Sequence, residues 1–295
     1  MDKKALFKYL LLITLIILLC TIFARVFSGT ETLQEYAEKN PETAYREKEP
    51  TEDTGHNINT ETDRESRAEN MNTHPERIIY KEGFYYEPLS EEIIKRITGV
   101  SYPVTEEMQD YTAVKSVNIV RSGEEIQVSY EDLRYLSVLH YNFKGIVRTG
   151  ELICNKAIAQ DLAEIFYELY QNQYQIEQIH LVDEYGADDT LSMQDNNTSC
   201  FNYRLVDGTA SLSKHALGLA IDINPLFNPY VVYKEDGSTY ISPAGGEAYA
   251  DRSREFAYKI DENDLCYKLF TERGFTWGGH WNSMKDYQHF QKVPE

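Results

Sequence analysis

An apolar segment from Tyr9 to Ala24 limits how this chain can be organised more than any other feature. Lys3, Lys4 and Lys8 precede it. The segment approaches the length that spans about 30 Å of hydrocarbon, and flanking positive charge favours the cytoplasmic side. The sequence therefore predicts a signal anchor over residues 1–27 of a single-pass cell-membrane protein, with the remainder outside. An uncleaved anchor is favoured over a cleaved signal peptide, which would release a secreted chain.

Residues 28–77 have a different composition from the rest of the chain. They carry six basic and thirteen acidic side chains and few large apolar ones. Such a segment cannot bury enough surface to offset its conformational entropy. We interpret 28–77 as a disordered acidic stalk and 78–295 as the folded domain.

The net charge of the chain, −19, excludes some partners. Nucleic-acid binding needs clustered Lys and Arg to contact phosphates, so we predict no nucleic-acid partner. The cysteines form no closely spaced pair, which argues against a thiolate zinc site or a disulfide-dense scaffold. We interpret those of the folded domain as buried thiols: Cys154, Cys200 and Cys266.

Hydrophobic periodicity predicts the elements of the folded domain. The clearest prediction is a helix over 156–171, because its apolar residues recur at helical spacing on one face. The others are a capped helix between Ser90 and Gly99, strands within 115–130, a helix over 131–141, a strand over 179–182 and a strand-like run over 219–223.

Two stretches hold residues that suit metal chemistry. His215 precedes a run rich in Gly and Ala, and Asp222 is flanked by isoleucines. A buried carboxylate is costly unless it is paired or bound to a metal. An imidazole and a carboxylate suit zinc, which takes three protein ligands in catalytic sites. His289 is the best-placed third ligand, with Asp286 three residues before it.

Each of these signals has a structural alternative. A lone histidine near glycine is more often structural, and a lone aspartate in an apolar strand is a hydrogen-bonded core group about as often as a ligand. Among the other histidines, His56 and His74 fall in the stalk, and His140 and His180 are interpreted as domain structure. His280, between Gly279 and Trp281, is the one further ligand candidate.

The two stretches contain three motifs: Ser-x-His-x-x-Gly-x-Ala-x-Asp over 213–222, Trp-Gly-Gly-x-Trp over 277–281 and Asp-x-x-His-Phe over 286–290. Taken together, these motifs resemble those of the M15 zinc peptidases. The family includes VanY-like D-alanyl-D-alanine carboxypeptidases and L-alanyl-D-glutamate endopeptidases, and the resemblance covers roughly 80–291. It implies a Zn²⁺ enzyme that hydrolyses peptidoglycan stem peptides, without resolving carboxypeptidase from endopeptidase.

The resemblance also implies a role for individual residues. It makes His215, Asp222 and His289 the metal ligands and Asp286 the general base. Many relatives have Glu where this chain has the shorter Asp286. Arg204 is implied to orient the substrate and polarise the scissile carbonyl, and Ser213 to support the first ligand or the substrate. Trp277 and Trp281 are candidates for the wall of the substrate cleft, but packing in the core explains them equally well.

The implied fold is α+β, Hedgehog/DD-peptidase-like, with a small antiparallel sheet that carries the zinc site and helices packed behind it. The insert 231–264 is expected to be a surface loop along one side of the cleft.

The sequence leaves two other hypotheses for the function of the domain. One is a catalytically silent surface module that binds wall peptides. The other is a metal-stabilised structural domain, which would need a fourth ligand such as His280.

Overall fold

The computed structural model describes residues 76–105, 118–120, 125–206 and 209–294. The anchor predicted over 1–27 and nearly all of the stalk predicted over 28–77 lie outside these residues. Within the described part, no helix is long and apolar enough to cross a membrane.

The described chain combines fourteen strands with short helices. The strands are β1 Ile78–Lys81, β2 Phe84–Pro88, β3 Val104–Thr105, β4 Ile119–Val120, β5 Leu133–Tyr141, β6 Val147–Asn155, β7 Gln178–Ile179, β8 Asn197–Thr198, β9 Ala220–Asp222, β10 Tyr230–Tyr233, β11 Thr239–Ser242, β12 Thr276–Trp277, β13 Met284–Asp286 and β14 His289–Gln291. The α-helices are α1 Glu91–Ile97, α2 Ala159–Gln171, α3 Asp189–Gln194 and α4 Leu265–Glu272. This mixture confirms the predicted α+β class.

A four-stranded antiparallel sheet in the order β1-β2-β5-β6 forms the base of the domain. Helix α2 packs on it because Leu162, Ile165, Phe166 and Leu169 share one helical face and are buried. These side chains meet Leu136 and its neighbours in the main core. The predicted helix over 156–171 is therefore confirmed, with its first turn beginning at Ala159.

Two small antiparallel sheets carry the chemistry-bearing residues. One has the order β12-β14-β9 and the other the order β11-β10-β13. The first is packed against the main core through Ile221 on β9 and Phe290 on β14, both fully buried. This placement matches the expected small antiparallel sheet with helices behind it.

The helix predicted over 131–141 is wrong, since Leu133–Tyr141 is strand β5. Leu133, Leu136 and Leu139 have the three-residue spacing of a helix face. However, β5 is a central strand between β2 and β6, and apolar groups lie on both of its faces. A strand buried on both sides loses the simple alternation that would identify it.

Three further predictions were only partly correct. The predicted strand over 179–182 ends at Ile179, and a 3-10 helix begins at Val182. Within 115–130, the short strand β4 is present, but the segment around Val128 is irregular and not a strand. Val128 is buried, and its carbonyl accepts a hydrogen bond from the Tyr102 hydroxyl at 2.8 Å. The insert 231–264 is more ordered than a loop, because β10 and β11 form a hairpin within it. Helix α1 is confirmed, with the Ser90 Oγ accepting from the Ile93 N–H.

Candidate metal centre

His215 is held by a tight turn between two motif residues. The Ser213 Oγ accepts the backbone N–H of His215 at 3.2 Å, and Gly218 ends the turn with φ of +66°. A Cβ on Gly218 would lie 2.7 Å from the backbone N of Asn155. Both the left-handed backbone and this close approach to β6 require glycine. The turn thus holds its backbone at the end of β6, where the Asn155 N–H donates to the Gly218 carbonyl at 2.8 Å.

Asp222 and His289 are brought together by strand pairing. They are directly opposite each other in the β9–β14 ladder. Directly opposed residues in an antiparallel pair project from the same face. The neighbouring pair, Ile221 and Phe290, projects to the other face and is buried in the main core. Strand alternation thus places the apolar pair in the core and the polar pair at the site.

His215, Asp222 and His289 form a compact group of side chains. One ligand atom from each lies within 4.8 Å of the others, and all three residues are buried. The His289 Nδ1 is 2.9 Å from the Asp222 Oδ1, and the His215 Nε2 is 3.3 Å from the Asp222 Oδ2. The two imidazoles approach each other at 3.2 Å between Nε2 of His215 and Nδ1 of His289.

Hydrogen bonds on the outer side of each imidazole fix which nitrogen carries a proton. The His215 Nδ1 lies 2.5 Å from the Cys200 carbonyl, which can only accept, so this nitrogen donates. The His289 Nε2 lies 3.1 Å from the Gln291 Oε1 and donates to it. In the neutral form, both inward nitrogens then present lone pairs beside the Asp222 carboxylate. Three converging acceptors require a shared cation, which is the arrangement of a metal site.

The pKa values agree with a pocket that attracts positive charge. Burial opposes ionisation of Asp222, but the charge and hydrogen bond of His215, and those of His289, hold its pKa below the usual range. Burial lowers the pKa of His289, yet its hydrogen bond to Asp222 and that carboxylate's charge raise it to about 9. Both shifts favour positive charge beside the Asp222 carboxylate.

Asp286 lies beside this group without being part of it. Burial, followed by the negative charge of Asp222, raises the pKa of Asp286 to about 6. Its Oδ1 is buried and has no hydrogen-bond partner in the described part of the chain. A Cβ on Gly278 would lie 2.8 Å from the Asp286 Cβ and 3.3 Å from that of His289. The absence of a side chain at Gly278 is what lets these residues approach each other.

Arg204 and Ser213 are joined through their backbones. The Ser213 N–H donates to the Arg204 carbonyl at 3.0 Å. The Arg204 guanidinium forms an ion pair with Asp189 at the start of α3. Among the described residues, no hydrogen bond or ion pair links it to the three-residue group. The substrate-orienting role of Arg204 therefore stays a prediction, whereas the contact of Ser213 with His215 fits support of the first ligand.

The two tryptophans of the second motif have different surroundings. Trp277 is 6% exposed, donates its indole N–H to the Tyr287 carbonyl at 2.9 Å and packs on Tyr267. Its side chain belongs to the core, which is one of the two positions that the sequence left open for it. Trp281 is partly exposed, and its ring centre is 5.3 Å from that of His289. Of the two tryptophans, Trp281 is the one whose ring lies beside a candidate metal ligand.

The structure brings no fourth protein ligand to the group within the described ranges. His280 is exposed and its Nε2 is 3.0 Å from Glu262, away from the three ligand candidates. The cysteines Cys154, Cys200 and Cys266 are buried and free, as predicted. A group with three ligands leaves a coordination position open, which is typical of catalytic rather than structural zinc sites.

The sequence analysis missed the residues that orient the imidazoles and Asp286. These are the Cys200 carbonyl, Gln291 and Gln288, whose side chain hydrogen-bonds to Asp286. A backbone carbonyl carries no signal of side-chain identity. Gln291, by contrast, shares a strand face with His289 two residues away, so strand alternation could have identified it.

Comparison with known proteins supports the interpretation of the site. Residues 207–292 match the peptidase M15_4 family model, described as D-alanyl-D-alanine carboxypeptidase. The matched range contains the three clustered side chains and Asp286, and Arg204 precedes it. No curated protein and no solved structure gave a match. The match supports the resemblance to M15 family peptidases over this part of the chain.

Proposed function

We propose that this protein is a zinc metallopeptidase that hydrolyses peptide bonds in the stem peptides of peptidoglycan. The observation that carries the proposal is the convergence of three acceptor atoms, from His215, Asp222 and His289, beside an unpartnered carboxylate oxygen of Asp286. The family match to a D-alanyl-D-alanine carboxypeptidase supports the substrate class.

The donor set favours Zn²⁺ as the ion. Two imidazole nitrogens and one carboxylate are among the commonest ligand sets of catalytic zinc. The hydrogen bonds from His215 to the Cys200 carbonyl and from His289 to Gln291 are the outer contacts that zinc-bound histidines usually make. Calcium and magnesium prefer oxygen ligands, so a site with two imidazoles disfavours both.

The metal ligands and Asp286 have separate roles in the proposed reaction. Zinc bound by His215, Asp222 and His289 would supply Lewis-acid chemistry and lower the pKa of a water molecule. Asp286 accepts a proton from the attacking water at its carboxylate and delivers it to the departing amine. Burial favours the protonated form of Asp286, so its carboxyl group can hold the proton between the two transfers. No serine or cysteine nucleophile is required.

Two side chains would orient the substrate. Trp281 lies next to the His289 ring and can wall one side of the peptide. Arg204 would contribute its positive charge to the scissile carbonyl or to a substrate carboxylate. In this structure the guanidinium is paired with Asp189, so substrate would compete with that carboxylate for Arg204.

The proposed location follows from the sequence. A signal anchor over residues 1–27 and a stalk over 28–77 would hold the peptidase domain outside the cell membrane, where peptidoglycan lies. If the anchor is cleaved, the same domain is secreted. The net charge of −19 is consistent with a protein that does not bind nucleic acid.

The test is hydrolysis of purified muropeptides by the full-length protein with Zn²⁺, followed by mass spectrometry, with Asp286→Ala as the control. Loss of a terminal D-Ala would identify a carboxypeptidase, and cleavage between the first two stem residues an endopeptidase. Either product must disappear in the control. Zinc binding without either product would contradict the proposal and favour the silent peptide-binding module.

A further inference from the structure

The sheet β11-β10-β13 has one face that continues outward from Asp286. Tyr230 is directly opposite Asp286 on one side and Ser242 on the other. The next row on this face is Met284, Val232 and Tyr240. Residues opposed in this way project from the same face of a sheet. These two rows therefore form one surface, which we call the Tyr230 face.

The side chains of the Tyr230 face contact one another. The Tyr230 hydroxyl lies 3.2 Å from the Met284 Sδ, and the Tyr230 and Tyr240 rings are edge-to-face with centres 6.4 Å apart. These diagonal contacts support the face assignment independently of the register. The opposite face carries Val231, which is 1% exposed in the main core. The sheet thus has one face that meets the main core at Val231 and a second, partly exposed face.

The residues of the Tyr230 face are partly exposed and Tyr240 is 48% exposed, whereas the Oδ1 atom of Asp286 is buried. Asp286, at the edge nearest the metal ligands, is the one charged side chain among these six. Three strands and two rows cover about 10 Å by 7 Å, taking the usual strand spacing and rise. An area of this size fits one or two rings of a small ligand and is too small for a protein interface.

The chemistry of this surface matches a sugar better than a peptide. Tyrosine combines an apolar ring with a polar hydroxyl, and Met284 and Val232 add apolar surface. A pyranose ring likewise has an apolar C–H face and a rim of hydroxyls. A charged peptide group would need a Lys or Arg partner, and an aliphatic side chain would need an enclosed apolar pocket. The Tyr230 face offers neither.

We propose that the Tyr230 face is a subsite for a pyranose ring of the glycan strand, continuous with the catalytic residue Asp286. This inference rests on the proposed function, because it assigns the sugar to the same peptidoglycan substrate. It makes the enzyme one that prefers stem peptides still attached to glycan.

The test compares two substrates with the full-length protein and Zn²⁺: a disaccharide-pentapeptide and the same pentapeptide without sugar. We expect Tyr240→Ala to lower kcat/KM for the glycosylated substrate about threefold to tenfold more than for the free peptide, through KM. Tyr240→Phe, which keeps the ring, restores most of the preference. Thr239→Ala changes the same strand on its opposite face and leaves both substrates unaffected.

Calorimetric binding of the peptide-free disaccharide separates this inference from the proposed function. If wild-type protein cleaves neither substrate yet binds the disaccharide, and Tyr240→Ala loses that binding, the sugar subsite stands and the proposed function fails. If both peptides are cleaved equally well, or if Tyr240→Ala affects them equally, the sugar subsite is overturned while the peptidase activity stands.

Discussion

The four-stranded sheet and the small sheet β12-β14-β9 differ in how their buried polar side chains are arranged. Glu87, Ser137 and His140 of the large sheet lie outside the three-residue group, whereas Asp222 and His289 of the small sheet are directly opposed within it. Phe84, Leu136 and Leu152 of the large sheet are at most 1% exposed and pack with apolar neighbours. The small sheet buries Ile221 and Phe290 on one face, but Asp222 and His289 on the other. Burying charged or polar groups costs stability unless they are paired. The small sheet is thus the one that holds two of the side chains to which the proposed chemistry is assigned.

Asp286→Asn is expected to have the largest effect on activity. The proton acceptor is lost while side-chain size is kept, so kcat/KM for muropeptide falls by about 10²- to 10⁴-fold. Zinc stoichiometry stays the same because Asp286 is outside the three-residue group. Product formation by mass spectrometry and metal content together check this. Retained activity would remove Asp286 from its assigned role.

The opposite result is expected for Leu136→Ala in the large sheet. Leu136 is fully buried beneath α2, so the cavity lowers the free energy of unfolding by about 2–5 kcal/mol. Activity per folded molecule stays near wild type, because Leu136 does not contact the site. Denaturant unfolding monitored beside activity measures both. A loss of kcat without a loss of stability would show that the two sheets are not separable in function.

Gln291→Ala tests whether the outer hydrogen bond of His289 supports metal binding. The variant removes the acceptor for the His289 Nε2, and such outer contacts typically change metal affinity by about 10- to 100-fold. Zinc affinity is measured by competition with a chromophoric chelator. Gln160→Ala on the exposed side of α2 is the control and is expected to match wild type. Equal affinities in Gln291→Ala and wild type would refute the proposed orientation of His289.

The smallest expected effect on zinc binding is that of Ser213→Ala. It leaves the buried N–H of His215 without its acceptor, which costs about 1–3 kcal/mol of folding stability and weakens zinc binding severalfold. Thermal unfolding and chelator competition are the measurements. A rise in KM with normal zinc affinity would instead assign Ser213 to substrate binding.

The sequence allowed the α+β class, helix α2 and the strand-like run around Asp222 to be predicted, because each depends on local periodicity. It did not allow β5 to be recognised, since a central strand loses its alternation when both faces are covered. Pairing of distant segments decides that burial, and the sequence does not state which segments pair.

The candidate site shows the same division. His215, Asp222 and His289 were identified from motifs, and the structure brings them within 4.8 Å. Trp277 and Trp281 could not be distinguished from the sequence, because both flank the same glycines. The Tyr287 carbonyl, which accepts from Trp277, directs that ring into the core. The Cys200 carbonyl and the Tyr230 face depend on tertiary contacts and left no motif.

The most direct test of the account is a zinc titration of the metal-free, full-length protein, followed by calorimetry, beside His289→Ala and His180→Ala. His180 is half-exposed and lies outside the three-residue group, so it serves as the matched histidine control. We expect one tightly bound zinc ion per chain in wild type and His180→Ala, and loss of that binding in His289→Ala. Absence of stoichiometric binding in wild type, or equal binding in all three proteins, would contradict it.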